Sequence, residues 1–331
     1  MKGRHKLSII SRRAEYRLEL ERKVSVIKGN SGTGKSSLIR LISDYLELGK
    51  DSGIKVHVSS SAGLLVLTNT SDWENILPSL SNTILFLDED VRYLYTEAFQ
   101  RELWTADCYA VIVSRSGQFS ALPFAVAGIY ELVTQKSGES TATEMYRLYE
   151  EKHGRNDFDL VVTEDSNSGY EMARYALWSE TTEVVPAGGN ASVHDALLKS
   201  SGEHNKICAD VDGAAFGPYI EPALKYAEIS GNIMISAPES FEFVLLHLDV
   251  VRKYLSEDAG ELTRTYDFCD SSQYVTWERY YESLLKQITT EHLGFTYSKS
   301  KLNSYFLNGK CAEEFREQIC RYFVCRRDRD Q

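Results

Sequence analysis

The chain has 331 residues, a formal net charge of −11 and a hydrophobic content of 43%. This length allows two or three domains with cores of their own, and the composition is that of a soluble globular protein. The acidic balance excludes a surface coated in basic charge, although a local basic patch or a metal-loaded acidic site would still bind nucleic acid. No run of about 18 apolar residues is present, so we expect no membrane contact.

The six cysteines are scattered, without the paired Cys-x-x-Cys spacing of structural zinc sites. Free thiols fit a reducing compartment. The first six residues are basic but lack the apolar stretch of a secretory signal. We therefore expect a cytoplasmic protein.

Residues 7–10 and 16–20 have the alternation of strands and predict an antiparallel meander ahead of a phosphate-binding motif. Residues 29–36 then match the Walker A pattern in full, between a buried strand (24–27) and a helix (37–42). In such a loop, backbone N–H groups surround a phosphate at the positive end of the helix. Lys35 is expected to reach the β- and γ-phosphates of ATP, and Ser36 to hold Mg²⁺. The predicted nucleotide-binding residues are Gly29, Asn30, Ser31, Gly32, Thr33, Gly34, Lys35, Ser36, Ser37 and Asp88.

A continuous apolar run, 83–87, ends in Asp88-Glu89-Asp90 and has the form of a Walker B strand. Asp88 is expected to bind the shell of the Mg²⁺ ion, and Glu89 to orient or deprotonate the attacking water. Lys35 and Glu89 are therefore the predicted catalytic residues of the first domain. Arg115 follows the next strand, 109–113, as a γ-phosphate sensor, an oligomer contact or part of a plain turn. A short helix is predicted over 145–152.

A second α/β pattern begins at residue 158, with strands over 158–163, 183–185, 206–209 and 232–236. Glu164, Asp210 and Asp212 each follow the carboxyl end of one of these strands. The carboxyl ends of parallel strands converge on one edge, so the three side chains should meet. Because clustered carboxylates repel one another, Mg²⁺ or Mn²⁺ is expected between them.

An isolated Glu after one strand and Asp-x-Asp after a later strand resemble a TOPRIM domain. The turn at Gly188-Gly189 and the stretch 238–242 are similar to those of OLD-type (overcoming lysogenisation defect) nucleases, which join a Walker-type ATPase to a TOPRIM nuclease. The chain departs from such families by lacking a Leu-Ser-Gly-Gly signature and by having Ala215 where many members have glycine.

The resemblance implies metal ligation by Asp210 and Asp212, with Glu164 as a further ligand or general base. Glu242, or alternatively Glu239, would complete a second metal position, and Lys299 or Lys301 would supply a nearby cation. The same resemblance implies cleavage of DNA or RNA under the control of ATP, in defence against phage, by a homo-oligomer or with a partner subunit.

The predicted architecture is α/β: a P-loop NTPase domain (1–156), a TOPRIM-like metal and nuclease domain (157–251) and a helical C-terminal segment (252–331). In the last segment an apolar stripe at helical spacing predicts a core face or an interface. The stripe comprises Trp277, Tyr281, Leu284, Leu285 and Ile288.

Two other functions fit parts of the sequence. The chain would be a regulatory ATPase switch if its acidic second domain binds metal or a partner without cutting. A small-molecule kinase is the other rival, but the strand meander before the Walker loop and the second acidic domain speak against it.

Overall fold

Two units divide the chain, and each is built from two separate stretches. The computed structural model describes residues 1–30, 32–115, 119, 122–155 and 157–327. Unit 1 comprises Met1–Leu148 and Arg264–Thr276, and unit 2 comprises Tyr149–Thr263 and Trp277–Gln331. These boundaries differ from the predicted ones at 156 and 251, because the polypeptide after residue 251 contributes to both units.

In its described residues, the first stretch of unit 1 is a run of strands with α-helices between them. In chain order its elements are β1 (His5–Ile10), β2 (Ala14–Leu20), β3 (Val24–Lys28), α1 (Lys35–Leu48), β4 (Lys55–Val58), β5 (Gly63–Leu67), α2 (Trp73–Ile76), β6 (Thr83–Asp88), α3 (Glu97–Thr105), β7 (Cys108–Ser114), β8 (Ile129–Ser137) and β9 (Ser140–Arg147).

The described strands of unit 1 form one mixed sheet in the order β4-β1-β2-β9-β8-β3-β7-β6-β5. The five strands from β8 to β5 are parallel, and β1 pairs antiparallel with β2, as the meander predicts. Strand β7 separates the Walker A strand β3 from the Walker B strand β6. All three are buried on both faces, which accounts for their continuous apolar sequence.

The predicted helix over 145–152 is wrong. The end of β9 pairs with β8, with Met145 opposite Leu132, and a new strand begins at Tyr149. Residues 144–147 alternate between the two faces of the sheet, and this pairing outweighs their helical propensity.

The second stretch of unit 1 packs against the beginning of the chain. The backbone N–H of Gly3 donates to the carbonyl oxygen of Tyr266 at 2.6 Å, and Ser271 N–H donates to the carbonyl of Met1 at 2.9 Å. The Arg4 guanidinium lies 4.7 Å from the centroid of the Tyr266 ring. Residues 264–276 thus complete unit 1 from far along the chain.

Unit 2 alternates strands and helices and then becomes mainly helical. Its elements, with one helix that belongs to unit 1, are β10 (Tyr149–Lys152), β11 (Leu160–Thr163), α4 (Ser168–Leu177), β12 (Glu183–Pro186), α5 (Asn190–Ser200), β13 (Ile207–Asp210), α6 (Ile220–Ser230), β14 (Ile233–Ser236), α7 (Phe241–His247), α8 (Asp249–Arg252), α9 (Gly260–Thr263), α10 (Thr265–Phe268, in unit 1), α11 (Trp277–His292), α12 (Gly309–Ile319) and β15 (Phe323–Arg326).

The described strands of unit 2 form a sheet in the order β10-β15-β14-β13-β11-β12. Strands β12, β11, β13 and β14 are parallel, as predicted, whereas β15 and β10 add an antiparallel edge. The C-terminal segment is therefore not wholly helical. The chain passes from β12 on one side of β11 to β13 on the other, and such a reversal places a ligand crevice at the carboxyl ends of β11 and β13.

The core of unit 2 joins the sheet to α4, α7, α11 and α12. Tyr281, Leu285 and Ile288 of the predicted apolar stripe are buried in it, and Trp277 and Leu284 pack against it. The core interpretation of the stripe is confirmed. None of the helices in the described parts of the chain has the length and apolarity that a bilayer crossing needs.

Candidate functional site

The Walker A loop of unit 1 leads from buried strand β3 into the first turn of α1. The Lys35 side chain folds back onto the loop, where its Nζ donates to the carbonyl of Asn30 at 3.0 Å, to Thr33 Oγ1 at 3.3 Å and to the carbonyl of Gly29. Ser36 and Ser37 are exposed in the first turn of the helix. Ser31 lies outside the described residues.

The amino terminus of α1 faces this loop and has neither an acidic residue in its first turn nor a side-chain cap of its own. The N-cap residue is Gly34. Gly34 has φ +90°, and an added Cβ would lie 2.9 Å from Tyr16 Oη, which donates to the Gly34 carbonyl at 2.9 Å. Only glycine fits there, and the helix end keeps the positive potential that favours an anion.

Two carboxylates at the end of β6 lie within electrostatic reach of Lys35. Burial lowers the pKa of Lys35, while the nearby carboxylates of Glu89 and Asp88 act in the opposite direction. Burial, with help from Asp90 and Glu89, raises the pKa of Asp88. Lys35, Asp88 and Glu89 therefore lie within electrostatic reach of one another, as the two Walker motifs predict.

Glu89 is held by the residue that follows strand β7. Its Oε2 accepts from the backbone N–H of Arg115 at 2.7 Å, and its Oε1 pairs with Arg115 Nε at 2.8 Å. The sequence allows three roles for Arg115, a γ-phosphate sensor, an oligomer contact or part of a plain turn. In the structure its partner is a carboxylate of the same chain. Ser116, which follows it, lies outside the described residues.

In unit 2, the first two predicted acids occupy the carboxyl ends of β11 and β13. The two strands pair in parallel, and the Glu164 backbone N–H donates to the Asp210 carbonyl at 3.2 Å. Glu164 Oε2 accepts from the Asp212 backbone N–H at 3.2 Å. Glu164 thus contacts Asp212 and lies within electrostatic reach of Asp210.

Asp212 also belongs to a group of three carboxylates, here called the acid cluster: Asp212, Glu242 and Glu278. One carboxylate oxygen from each lies within 4.8 Å of the other two. Glu242 comes from α7 and Glu278 from α11. Asp212 Oδ1 accepts from the Phe241 N–H at 2.8 Å, which aligns the start of α7 with the strand end. Glu239, the alternative to Glu242, instead supplies its carbonyl oxygen to the Ala214 N–H.

Burial is the main cause of the electrostatic state of these acids. It raises the pKa of Glu164 to about 7 and, with the neighbouring Glu164 charge, that of Asp210 to about 7. It also raises the pKa values of Asp212 and Glu242. Buried carboxylates with like charges beside them favour protonation unless a cation is bound, so the site is electrostatically suited to a cation.

Lys299 is the cation that the chain itself brings to the acid cluster. Its Nζ bonds to Glu278 Oε1 and lies 3.7 Å from Asp212 Oδ2. Burial opposes its charge, but Asp212, Glu242 and Glu278 together raise its pKa. Of the two lysine candidates, Lys299 lies at the site, whereas Lys301 is exposed outside it.

One oxygen of the acid cluster has no partner among the described residues. Glu242 is fully buried, and its Oε1 accepts from Tyr297 Oη at 2.9 Å. Its Oε2 has no hydrogen-bond partner. A buried carboxylate oxygen without a donor is costly, so this atom is suited to a positively charged ligand.

A tight backbone contact holds the Asp212 turn against the segment after β14. Gly213 N–H donates to the Pro238 carbonyl at 2.6 Å. A Cβ at residue 213 would lie 2.5 Å from the Ala237 carbonyl oxygen and 2.7 Å from that of Pro238. Only glycine allows the strand ends that carry Asp212 and Glu242 to approach this closely.

Glu278 is the acid that the sequence did not reveal. It lies in the first turn of α11, in a segment whose periodicity signals only a packed helix. The acid is brought to the site by packing of α11 on α7, which no spacing along the chain encodes. The nearest sequence signal is Lys299, one of the two lysines that the resemblance gives as a nearby cation.

A scan of the chain against protein-family models, curated proteins and solved structures finds no match.

Proposed function

We propose that unit 1 binds and hydrolyses ATP and that unit 2 is a Mg²⁺- or Mn²⁺-dependent nuclease of DNA or RNA under its control. The finer architecture in this proposal is a P-loop NTPase followed by a TOPRIM-like domain. A role in defence against phage, and assembly as a homo-oligomer or with a partner subunit, follow from the resemblance to OLD-type nucleases.

One observation carries the nuclease proposal: the unpartnered, fully buried Oε2 of Glu242 in the acid cluster. Five carboxyl groups lie in this part of unit 2, and the three of the acid cluster act on the Lys299 ammonium group. Oxygen ligands of this kind suit Mg²⁺ and Mn²⁺. The residues in question are Glu164, Asp210, Asp212, Glu242 and Glu278, with Lys299.

The roles follow from position. Asp212, Glu242 and Glu278 would hold one cation, and Asp210 and Glu164 would hold another, with Glu164 as an alternative general base. Divalent cations at such a site stabilise the attacking and leaving oxygens of phosphodiester cleavage. Lys299 would offer its ammonium group to a substrate phosphate. Tyr297 orients the Glu242 carboxylate by donating to it.

Support for the ATPase comes from the Walker geometry of unit 1. Lys35, Ser36 and the uncapped α1 terminus would bind the phosphates and Mg²⁺, and Asp88 would complete the Mg²⁺ shell. Glu89 would orient the attacking water, and Arg115 positions Glu89 through its two contacts.

The test uses the full chain with labelled plasmid DNA and with total tRNA, in Mg²⁺ or Mn²⁺, with and without ATP. Asp210→Asn is expected to abolish cleavage, and Lys35→Ala to abolish ATP hydrolysis and change the ATP dependence of cleavage. Glu203→Gln, which removes an exposed acid of unit 2, is the matched control and should cut like wild type. Cleavage that persists in Asp210→Asn would refute the nuclease assignment.

The Lys299 contacts favour one other function, a regulatory ATPase switch whose second unit does not cut. An internal ammonium that pairs with Glu278 and approaches Asp212 already offsets part of the negative charge. In that case Lys299→Met would lower stability strongly, because buried carboxylates lose their counter-ion. ATP hydrolysis without cleavage of either polymer, in the wild type, would support the switch.

A further inference from the structure

A broad groove of unit 2 opens beside the cleft that holds Glu164 and Asp212. It lies between α4 and the segment 296–307 and has a volume of about 1190 Å³. Its walls include Tyr170, Arg174, Tyr175, Trp178 and Lys301. We call it the aromatic groove. The volume of this groove is larger than that of the pockets in which proteins usually bind small ligands, and an open groove of this volume suits a polymer.

The aromatic rings of the groove are exposed although they are large and apolar. The Trp178 side chain is 62% exposed and Tyr175 is 47% exposed. Tyr175 lies on the outer side of α4 and Trp178 directly follows the helix, while the other side of α4 buries Met172 and Ala176 in the core of unit 2. The core therefore does not need these rings, and flat exposed rings are the platforms on which unpaired bases stack.

Two cations, one from each wall, accompany the rings. Arg174 on α4 and Lys301 on the opposite segment are both exposed. The acid of the groove, Glu171, is tied to the wall because its Oε2 accepts from the Leu302 N–H at 2.8 Å. In a chain with a net charge of −11, this local excess of positive charge suits a phosphate backbone.

The groove is continuous with the candidate metal site. Tyr170 lines both the cleft of Glu164 and Asp212 and the aromatic groove. Lys299 contacts the acid cluster, and Lys301, two residues later and at most about 7 Å along the backbone, faces the groove. The Ser168 N–H donates to the Lys299 carbonyl at 3.0 Å and fixes this segment to α4.

We propose that the aromatic groove binds single-stranded nucleic acid, with bases stacked on Trp178 and Tyr175 and phosphates at Arg174 and Lys301. The strand would then run into the acid cluster. A duplex hides its base faces and gains nothing from exposed rings, so the groove selects unpaired strands. The inference rests on the proposed nuclease function for the direction of the strand, but binding in the groove is measurable without cleavage.

The experiment measures fluorescence anisotropy of labelled oligonucleotides of about 12 nucleotides, single-stranded DNA, single-stranded RNA and duplex DNA, with the full chain in EDTA. We expect single strands to bind at least about tenfold more tightly than the duplex. Trp178→Ala and Tyr175→Ala should each weaken single-strand binding about 5- to 150-fold. The double variant Arg174→Ala/Lys301→Ala should reduce the slope of log K against log salt by about 1.4.

Two exposed side chains of unit 2 outside the groove provide controls, Ile229→Ala and Lys199→Ala, and both should bind like wild type. Groove variants that match these controls, equal affinity for the duplex, or binding of no oligonucleotide would each overturn the proposal. Single-strand binding that depends on Trp178, without any cleavage, would refute the nuclease proposal and leave the groove proposal standing. Cleavage that needs Asp210 but is unchanged in Trp178→Ala would refute the groove proposal and leave the nuclease proposal standing.

Discussion

At the scale of a single residue, the two carboxylate oxygens of Glu242 have different environments. Its Oε1 accepts a hydrogen bond from Tyr297 Oη, whereas its Oε2 has no donor among the described residues. A carboxylate placed only for stability would be better replaced by an amide or an apolar group. Its fully buried position fits a ligand for a cation.

Replacing Glu242 by Gln is expected to weaken Mn²⁺ binding by at least about tenfold, because a neutral amide replaces a charged ligand. The amide oxygen still accepts from Tyr297, so the fold should persist. Isothermal titration calorimetry with Mn²⁺ measures the change, and Glu203→Gln serves as the control. Equal Mn²⁺ affinity in wild type and Glu242→Gln would contradict a metal role for the acid cluster.

At the scale of elements, the junction between the ends of β13 and β14 determines whether Asp212 and Glu242 meet. Gly213 makes that junction possible because two carbonyl oxygens lie where its side chain would be. The contact is backbone to backbone and leaves no flexible group to move aside.

Gly213→Ala should destabilise unit 2 by about 1–3 kcal/mol, as overpacking does, and should weaken Mn²⁺ binding by displacing Asp212. Gly202→Ala is the matched control, since a Cβ there meets nothing within 4 Å. That control should be neutral or slightly stabilising. Urea unfolding together with Mn²⁺ titration compares the two variants, and a Gly213→Ala protein as stable as Gly202→Ala would refute the steric argument.

The helix α7, which carries Glu242, also contains a half-buried histidine, His247, that makes stability depend on pH. Burial lowers the pKa of His247, with Arg252 and Arg321 adding to the effect and the Phe243 carbonyl opposing it. The unfolded chain then takes up a proton near pH 6.5 that the folded chain does not. Stability from this group is present above about pH 6.5 and is lost as the pH falls towards the lowered value.

As the pH is lowered from about 7.5 to about 5, the folding stability of His247→Gln should therefore fall less than that of wild type, because glutamine does not titrate. The amide can still donate to the Phe243 carbonyl. Melting temperatures across this range provide the measurement, with the exposed His57→Gln as control. Parallel curves for wild type and His247→Gln would exclude the assignment.

The sequence allowed prediction of those elements and site residues whose signals are local. Buried parallel strands, the Walker loop and the acids at strand ends were identified because each depends on a few adjacent residues. Glu278 was not, because α11 reaches the site only through packing on α7. The strand β15 and the hairpin of β8 and β9 were also missed, since their pairing partners, and not their own propensities, make them strands.

On the scale of the whole molecule, the two candidate sites lie in separate units, with the Walker motifs in one and the acid cluster in the other. Each ligand is expected to stabilise the unit that binds it, by mass action.

At about 100 times its dissociation constant, Mg-ATP should stabilise unit 1 by about 2.7 kcal/mol. Differential scanning calorimetry should show this as an increase in transition temperature on adding Mg-ATP. Lys35→Ala should show no such increase. Mn²⁺ without nucleotide should instead raise the transition temperature of unit 2. This increase should remain in Lys35→Ala and should be absent in Asp210→Asn. Stabilisation by Mg-ATP that is equal in wild type and Lys35→Ala would argue against the Walker site.

The Tyr266 and Ser271 contacts with the first residues have a consequence for synthesis on the ribosome. Unit 1 receives these partners only after the whole of 149–263 has been translated, roughly ten seconds at about 10 residues per second. Until then the part of unit 1 that includes Gly3 and Arg4 lacks these contacts. The order of translation thus delays completion of unit 1 until the polypeptide with Glu164, Asp212 and Glu242 has emerged, and a chain released before residue 264 would lack the contacts that residues 264–276 supply.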